Sequence, residues 1–286
     1  MARPSGRDPA SHGVAFSAVE LRTDEGLMLS AWWVPGPSSS ATLDLVAVVH
    51  PFHSGHKSDV LPWVKLLHEL GLGVVAIDGR GHGDSDPVPA GTKDSLAARA
   101  HDVAAACNEA RRRGARRLLL VGQSQGGGVP VLVEASRRGD VAAVVVESGP
   151  GTTMLDASLG LAKFALAGTR SKPSRLALMM CCARILHRGR PIVDTWAQWR
   201  SLVRLRSRPL LWIHGERDAV VPLASAARWF GALGKRGGQW HAVIIPRGRH
   251  AACVPMGTEQ VRLALRELNP WGAASDPASV LHVPRP

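Results

Sequence analysis

The sequence lacks several features that would place it in other classes of protein. It has no Tyr and only 4 Phe in 286 residues, and these do not alternate with basic residues in the pattern that stacks nucleic-acid bases. Its 4 Cys show neither CxxC spacing nor a compact framework, which argues against structural zinc or a disulfide scaffold. It contains no uninterrupted apolar run of about 18 residues, so no membrane-spanning helix is expected. We therefore predict no nucleic-acid partner, no metal and no membrane span.

The amino end is polar and lacks the apolar stretch of a secretory signal. Together with reduced cysteines, this predicts a cytoplasmic location. We expect residues 1–13 to be a flexible N-terminus and 269–286 to be a C-terminal tail.

Positive charge is abundant, with a formal net charge of +12 and a pI near 10.8. A balance of this size can attract nucleic acid or an anionic membrane. A solvated surface rich in arginine is the more common explanation.

The hydrophobic pattern predicts one α/β domain at 14–268. After a hairpin around Thr23-Asp24-Glu25-Gly26, short apolar runs alternate with helix-like segments, which is typical of a mostly parallel central sheet with helices on both faces. Strands are predicted at 14–22, 27–34, 45–49, 73–77, 117–121, 142–146, 209–213 and 242–245. Helices are predicted at 60–70, 95–113, 128–138, 223–233 and 258–268.

The alternation stops at about 150–208, which we interpret as a small helical cap inserted over the sheet. Its helical runs near 159–166 and 176–186 carry many apolar residues, and Lys and Arg surround them. Such a segment can pack as a cap on its own domain, cover a lipophilic pocket or lie on an anionic membrane. Of the last two possibilities, the sequence favours a lipophilic pocket that covers Ser124.

The segment Gly122-Gln123-Ser124-Gln125-Gly126 follows the apolar run 118–121 and precedes a helix-compatible stretch. A serine on such a strand-to-helix turn is held in a strained, exposed position, and small neighbours prevent a clash with the backbone. Ser124 is therefore the candidate nucleophile.

A serine hydroxyl needs a neighbouring imidazole to accept its proton and a carboxylate to orient that imidazole. Asp218 follows the strand at 209–213, and His250 follows the strand at 242–245. Glu147, at the end of the strand at 142–146, is the alternative acid. His214 and His241 lie less favourably, one ending a strand too early and the other beginning one.

The order Ser124, Asp218, His250 and the motifs around these residues resemble the α/β-hydrolase superfamily across residues 14–268. Residues 78–85 resemble the loop after the family's fourth strand, and 215–222 resemble its acid turn. Residues 144–148 and the short cap are similar to the branch with monoacylglycerol lipase-like and prolyl-oligopeptidase-related enzymes.

The resemblance implies a cofactor-independent serine hydrolase whose substrate is a small-molecule ester or acyl compound. A carboxylic ester is expected first, then a thioester or lipid ester. Acyl transfer by the same triad, or a non-catalytic binding protein on the same fold, are the alternatives.

The family's oxyanion hole takes one backbone N–H from the residue after the nucleophile and one from the loop after the third strand. These positions correspond to Gln125 and Phe52, since Pro51 has no N–H. His50, His53 and His56 recur at every third residue and could hold a metal, but the oxyanion loop explains them more economically. Asp78 and its neighbours are expected to pin their loop through hydrogen bonds.

Overall fold

The computed structural model describes residues 7–37, 44–52, 55–92, 94–124, 127–128, 132, 139–149, 154–166, 175–188, 200–201, 208–236 and 239–270. Most of the predicted helix at 128–138, nearly all of the predicted tail at 269–286 and residues 1–6 lie outside these ranges. Within the start that was expected to be flexible, Pro9–His12 form a short 3-10 helix, whose first turn is capped by the Asp8 carboxylate.

Eight strands of the described chain form one sheet. They are β1 (Ser17–Arg22), β2 (Met28–Val34), β3 (Leu45–His50), β4 (Gly73–Ile77), β5 (Arg117–Gln123), β6 (Val141–Glu147), β7 (Leu210–Gly215) and β8 (Trp240–Ile245). Their order is β1-β2-β4-β3-β5-β6-β7-β8. β2 runs antiparallel to β1 and β4, and all the other pairs are parallel. This confirms the predicted mostly parallel sheet.

The central strands are mostly apolar because both of their faces are covered. Every residue of β3, β4 and β7 is buried. Along β3 the side chains alternate between two cores, with Val46 and Val48 in one and Ala47 and Val49 in the other. This two-residue period is that of a strand, and it explains why continuous apolar runs predicted the sheet.

Helices of the described chain lie on both faces of the sheet. They are α1 (Leu61–Glu69), α2 (Leu96–Arg112), α3 (Met154–Leu166), α4 (Arg175–Arg188), α5 (Leu223–Arg236), α6 (Cys253–Met256) and α7 (Thr258–Leu268), besides the short 3-10 helix Lys57–Val60. α1 and α7 bury residues in one core, and α2 and α5 bury residues in the other. In the described residues, no helix is long and apolar enough to cross a membrane.

The two helices predicted in the insertion are present as α3 and α4, which pack against each other. α3 also lies on the segment that follows Asp218. A Cβ at Gly160 would collide with the carbonyl oxygen of Val220, and Asp156 pairs with Arg228 of α5. α3 is thereby anchored beside the turn that carries the candidate acid.

The register of the parallel strands brings their carboxyl ends together at one edge. His50 at the end of β3 pairs with Gly122 of β5, and Gln123 of β5 pairs with Glu147 at the end of β6. The ends of β7 and β8 adjoin in the same way. Loops that follow these strands therefore meet at this edge, where ligands bind in open α/β sheets.

Candidate active site

Ser124 lies on the turn directly after β5. Its φ of 50° is in the left-handed region, which a serine adopts only when its surroundings impose it. Its N–H donates to the carbonyl oxygen of Glu147 at 2.8 Å. A Cβ at Gly127 would lie 2.5 Å from the carbonyl oxygen of Gly122, so the turn requires a glycine there.

The structure brings Ser124, His250 and Asp218 into one hydrogen-bonded chain. The His250 Nε2 atom lies 2.8 Å from Ser124 Oγ, and the His250 Nδ1 atom lies 2.8 Å from Asp218 Oδ2. Because an ionised carboxylate only accepts, Nδ1 carries the proton and donates it to Asp218. Nε2 is then unprotonated and can accept the hydroxyl proton of Ser124.

The second carboxylate oxygen of Asp218 is held by the backbone. Its Oδ1 atom accepts the N–H groups of Val220 and Val221 at 2.9 and 2.8 Å. Burial acts to raise the pKa of Asp218, but the hydrogen bond and charge of His250 and the N–H of Val221 outweigh it, so the pKa lies below its ordinary value. The carboxylate is therefore ionised near neutral pH and fixed in orientation.

His214 lies beneath this acid turn. Its buried Nε2–H donates to the carbonyl oxygen of Val221 at 2.8 Å. Burial lowers its pKa, although the charge of Asp218 opposes the shift. A neutral His214 thus supports the backbone that binds Asp218.

Glu147, the alternative acid, makes other contacts. Its Oε2 atom accepts hydrogen bonds from Trp63 Nε1 and Gln123 Nε2, each at 2.6 Å. Its Oε1 atom accepts the N–H of Cys253 at 2.6 Å. Of the two carboxylates that the sequence offered, Asp218 is the one hydrogen-bonded to His250.

The loop that carries His250 is tied to the neighbouring strand ends. Ser148, just after β6, accepts the N–H of Ala251 at 3.0 Å. On the other side, Glu216 accepts the N–H of Arg247 at 2.9 Å. Sequence reasoning did not assign a role to Ser148 or Glu216. Each directly follows a strand, and this position was the feature of the sequence that could have indicated their role.

Of the two predicted oxyanion donors, Phe52 lies within the described residues. Phe52 lies in the loop after β3, where its carbonyl accepts the N–H of Gly55 at 2.9 Å. Because β3 is paired with β5, this loop lies next to the turn of Ser124. Gln125 lies outside the described residues.

The histidines of the oxyanion loop have separate environments. His50 is buried, and its Nδ1–H donates to the carbonyl oxygen of Pro51 at 2.7 Å. Burial, and then the charge of Arg99, lower the pKa of His50 to about 3. His53 lies outside the described residues. His56 instead lies beside Asp78 and Asp84.

Distance alone makes His56, Asp78 and Asp84 a group that could hold a metal, since their ligand atoms lie within 4.8 Å of one another. The ammonium group of Lys57 lies in the same place, 2.6 Å from Asp78 Oδ2 and 2.8 Å from Asp84 Oδ2. A lysine of the protein itself therefore occupies the place of a cation between these carboxylates and offsets one of their two negative charges.

Asp78 also pins the backbone on both sides of this cluster. It accepts the N–H of Lys57 at 2.5 Å and that of Asp84 at 3.0 Å. These bonds join the end of the oxyanion loop to the loop after β4, which is the structural role expected from the sequence.

Comparison with known proteins supports the same architecture. Residues 41–178 match the model of the serine aminopeptidase S33 family, and residues 187–271 match that of the prolyl oligopeptidase family. The uncharacterized protein YfhR of Escherichia coli (strain K12) is 26% identical over 249 residues, which span 86% of this chain and 75% of YfhR. Protein bem46 of Schizosaccharomyces pombe is 23% identical over 262 residues, which span 88% of this chain and 77% of that protein.

Among solved structures, the esterase Pf2001 of Pyrococcus furiosus has the same fold. It superposes with a TM-score of 0.71 at 18% identity and covers 94% of both chains. The family matches support a hydrolase, and the sheet order and Ser124 turn agree with that fold. The chain belongs to the α/β-hydrolase superfamily.

Proposed function

We propose that this protein is a serine hydrolase that cleaves a carboxylic ester through an acyl-enzyme on Ser124. The observation that carries the proposal is the hydrogen-bonded chain from Ser124 Oγ through His250 to Asp218, with both links at 2.8 Å. This is the contact that a general base needs in order to take the serine proton.

In the proposed reaction, Ser124 Oγ attacks the acyl carbonyl while His250 Nε2 takes its proton. The Asp218 carboxylate keeps the other proton of the imidazole on Nδ1 and stabilises the imidazolium that forms. His250 then gives its proton to the departing alkoxide, which leaves as an alcohol. Water attacks the acyl-enzyme by the same steps in reverse, and releases the acid and free Ser124.

The N–H groups of Phe52 and Gln125 are proposed to bind the oxyanion of the tetrahedral intermediate. Two such donors contribute roughly 3 kcal/mol each to lowering the barrier. The position of Phe52 in the loop beside β5 supports its part in this proposal.

An ester is favoured over a peptide because both described carboxylates near Ser124 are already engaged in hydrogen bonds within the protein. An aminopeptidase needs a carboxylate to bind the ammonium group of its substrate, and the serine aminopeptidase match makes that activity the second candidate. The carboxylate oxygens of Glu147 and Asp218 already accept hydrogen bonds from within the described chain. The name of the Pf2001 esterase agrees with an ester substrate. Thioester or lipid ester hydrolysis would use the same steps.

A fluorophosphonate probe and p-nitrophenyl esters of increasing chain length test the proposal. We expect labelling of Ser124, located by peptide mass spectrometry, and ester hydrolysis that Ser124→Ala and His250→Ala both abolish. Aminoacyl p-nitroanilides in the same assay test the peptidase alternative, and an added alcohol as acceptor tests acyl transfer. A folded protein that neither reacts with the probe nor hydrolyses any ester would instead indicate a binding protein.

A further inference from the structure

The outer face of α4 carries an apolar stripe formed by Leu176, Met179 and Met180. Their side chains are 66%, 68% and 59% exposed. Residues spaced by three and four positions lie on one side of a helix, so the three form a continuous surface. Cys182, three residues after Met179 and at the edge of this surface, is buried.

The three side chains of this stripe are exposed to solvent. α4 packs on α3, and α3 lies on the segment after Asp218. The acyl pocket that the sequence favoured for this face stays a prediction, and the side chains that would form it are exposed in the structure.

Basic residues accompany the stripe along the chain. Arg184 is exposed one turn beyond Met180. In the sequence, α4 and the residues on either side of it carry Arg170, Lys172, Arg175, Arg184, Arg188 and Arg190, without an acidic residue between them. The whole chain carries a formal charge of +12.

We propose that the outer stripe of α4 binds the surface of an anionic lipid bilayer. Apolar side chains on one side of a helix enter the interface between headgroups and acyl chains, and nearby cations attract anionic headgroups. A second protein could also cover the apolar side chains, but the basic residues in and beside α4 favour an anionic surface. This proposal does not depend on the hydrolase activity.

Vesicle sedimentation tests the surface. We expect the protein to bind vesicles containing phosphatidylserine, to bind phosphatidylcholine vesicles much more weakly, and to dissociate when NaCl is raised from about 0.05 M to about 0.5 M. Replacing Met179 and Met180 with Ser should weaken binding at least about tenfold, since each loses a buried apolar side chain.

The matched control replaces Met256 and Leu263 with Ser. These are also exposed apolar residues, at 43% and 55%, but they belong to α6 and α7. The control should bind like the parent. Equal binding by both double variants, or no binding by the parent, would overturn the proposal. Two other results would also overturn it. One is a dimer, detected by light scattering, that is lost only in the Met179 and Met180 variant. The other is a loss of soluble ester turnover in that variant alone.

A separate observation concerns Glu147, which joins three parts of the active site. Its backbone carbonyl accepts the N–H of Ser124, and its Oε2 atom accepts the side-chain N–H of Gln123. Its Oε1 atom accepts the N–H of Cys253, in the segment after His250. All of these partners donate, and the carboxylate is fully buried.

We infer that Glu147 is a positioning residue that keeps His250 aligned with Ser124, an inference that rests on the proposed function. A glutamine cannot present acceptors to both sets of donors. With its oxygen toward Trp63 and Gln123, its NH₂ group would face the N–H of Cys253 and displace the His250 loop.

Steady-state kinetics of Glu147→Gln test this role. We expect kcat to fall at least tenfold with KM within twofold of the parent, and fluorophosphonate labelling to slow in parallel. Trp63→Phe is the control, since it removes one donor and leaves the Cys253 bond intact, and its kcat should stay within threefold.

If Glu147→Gln fails to fold, Ser148→Ala replaces it, because this change removes the acceptor for Ala251 in the same loop. An unchanged kcat in a folded variant would overturn the inference while Ser124→Ala still abolished turnover. Turnover that survives Ser124→Ala would instead overturn the proposed function.

Discussion

The Asp218→Asn variant tests whether the carboxylate sets the tautomer of His250. In the structure, Asp218 Oδ1 accepts two backbone N–H groups, and Oδ2 accepts the Nδ1–H of His250. Asparagine has one acceptor oxygen and one donor NH₂ group. If its oxygen keeps the bonds to Val220 and Val221, its NH₂ group faces His250 Nδ1.

The opposite orientation is disfavoured because the NH₂ group would then face two backbone donors. Each buried N–H left without an acceptor costs about 1–3 kcal/mol, so about 2–6 kcal/mol opposes this orientation. The favoured orientation forces Nδ1 of His250 to accept and puts the proton on Nε2. Nε2 can then no longer take the proton of Ser124. For such a tautomer change we expect kcat to fall about 10⁴-fold, which corresponds to about 5.5 kcal/mol.

The assay is hydrolysis of p-nitrophenyl acetate near neutral pH, with circular dichroism to confirm folding. Loss of a single hydrogen bond without a tautomer change would lower kcat only about fivefold to tenfold. A kcat within tenfold of the parent would therefore refute the reasoning. A larger loss in Glu147→Gln than in Asp218→Asn would identify the acid as Glu147 of β6.

Three further predictions concern the nucleophile and two buried titratable side chains. Ser124→Ala should abolish ester hydrolysis, measured as kcat, without changing the thermal midpoint by more than a few degrees, because the hydroxyl is not in the core. The pKa of His50 is lowered to about 3 by burial, so below pH 6.5 this imidazole binds a proton in the unfolded chain but not in the folded chain. The stability present above pH 6.5 is therefore lost as pH falls towards 3, by about 2 kcal/mol at pH 5. The decrease in the free energy of unfolding between neutral pH and pH 5, measured with urea, should be smaller by about that amount in His50→Asn. Lys57→Met leaves the buried Asp78 without its cation and should lower the free energy of unfolding by about 3–5 kcal/mol, whereas Lys65→Met, at an exposed ion pair, should change it by less than about 1 kcal/mol. Equal effects of the two lysine changes would contradict the buried pairing.

Local patterns in the sequence were sufficient for most of the fold. Strands buried on both faces must be apolar throughout, so runs such as 45–49 and 73–77 predicted β3 and β4 closely. Chain order and small neighbours also indicated that Ser124 would lie on a turn after its strand. These features depend on residues close together in the chain.

The pairing of side chains needed the tertiary structure. The sequence favoured Asp218 over Glu147 because of the acid turn at 215–222, but both residues stand at the ends of neighbouring parallel strands, so chain order alone left Glu147 as an alternative. The choice depends on backbone contacts: Val220 and Val221 turn Asp218 towards His250, while Cys253, Trp63 and Gln123 hold Glu147.

The same limit applies to charge and to the cap. The sequence offered His50, His53 and His56 as metal ligands only as a less economical alternative to an oxyanion loop, and it could not show that Asp78 and Asp84 lie beside His56 with Lys57 in contact with both carboxylates. Apolar periodicity predicted that α4 is a helix with an apolar face, yet it could not predict which way that face points. That face is exposed in the structure, and α4 packs against α3, a contact that exists only in the folded chain.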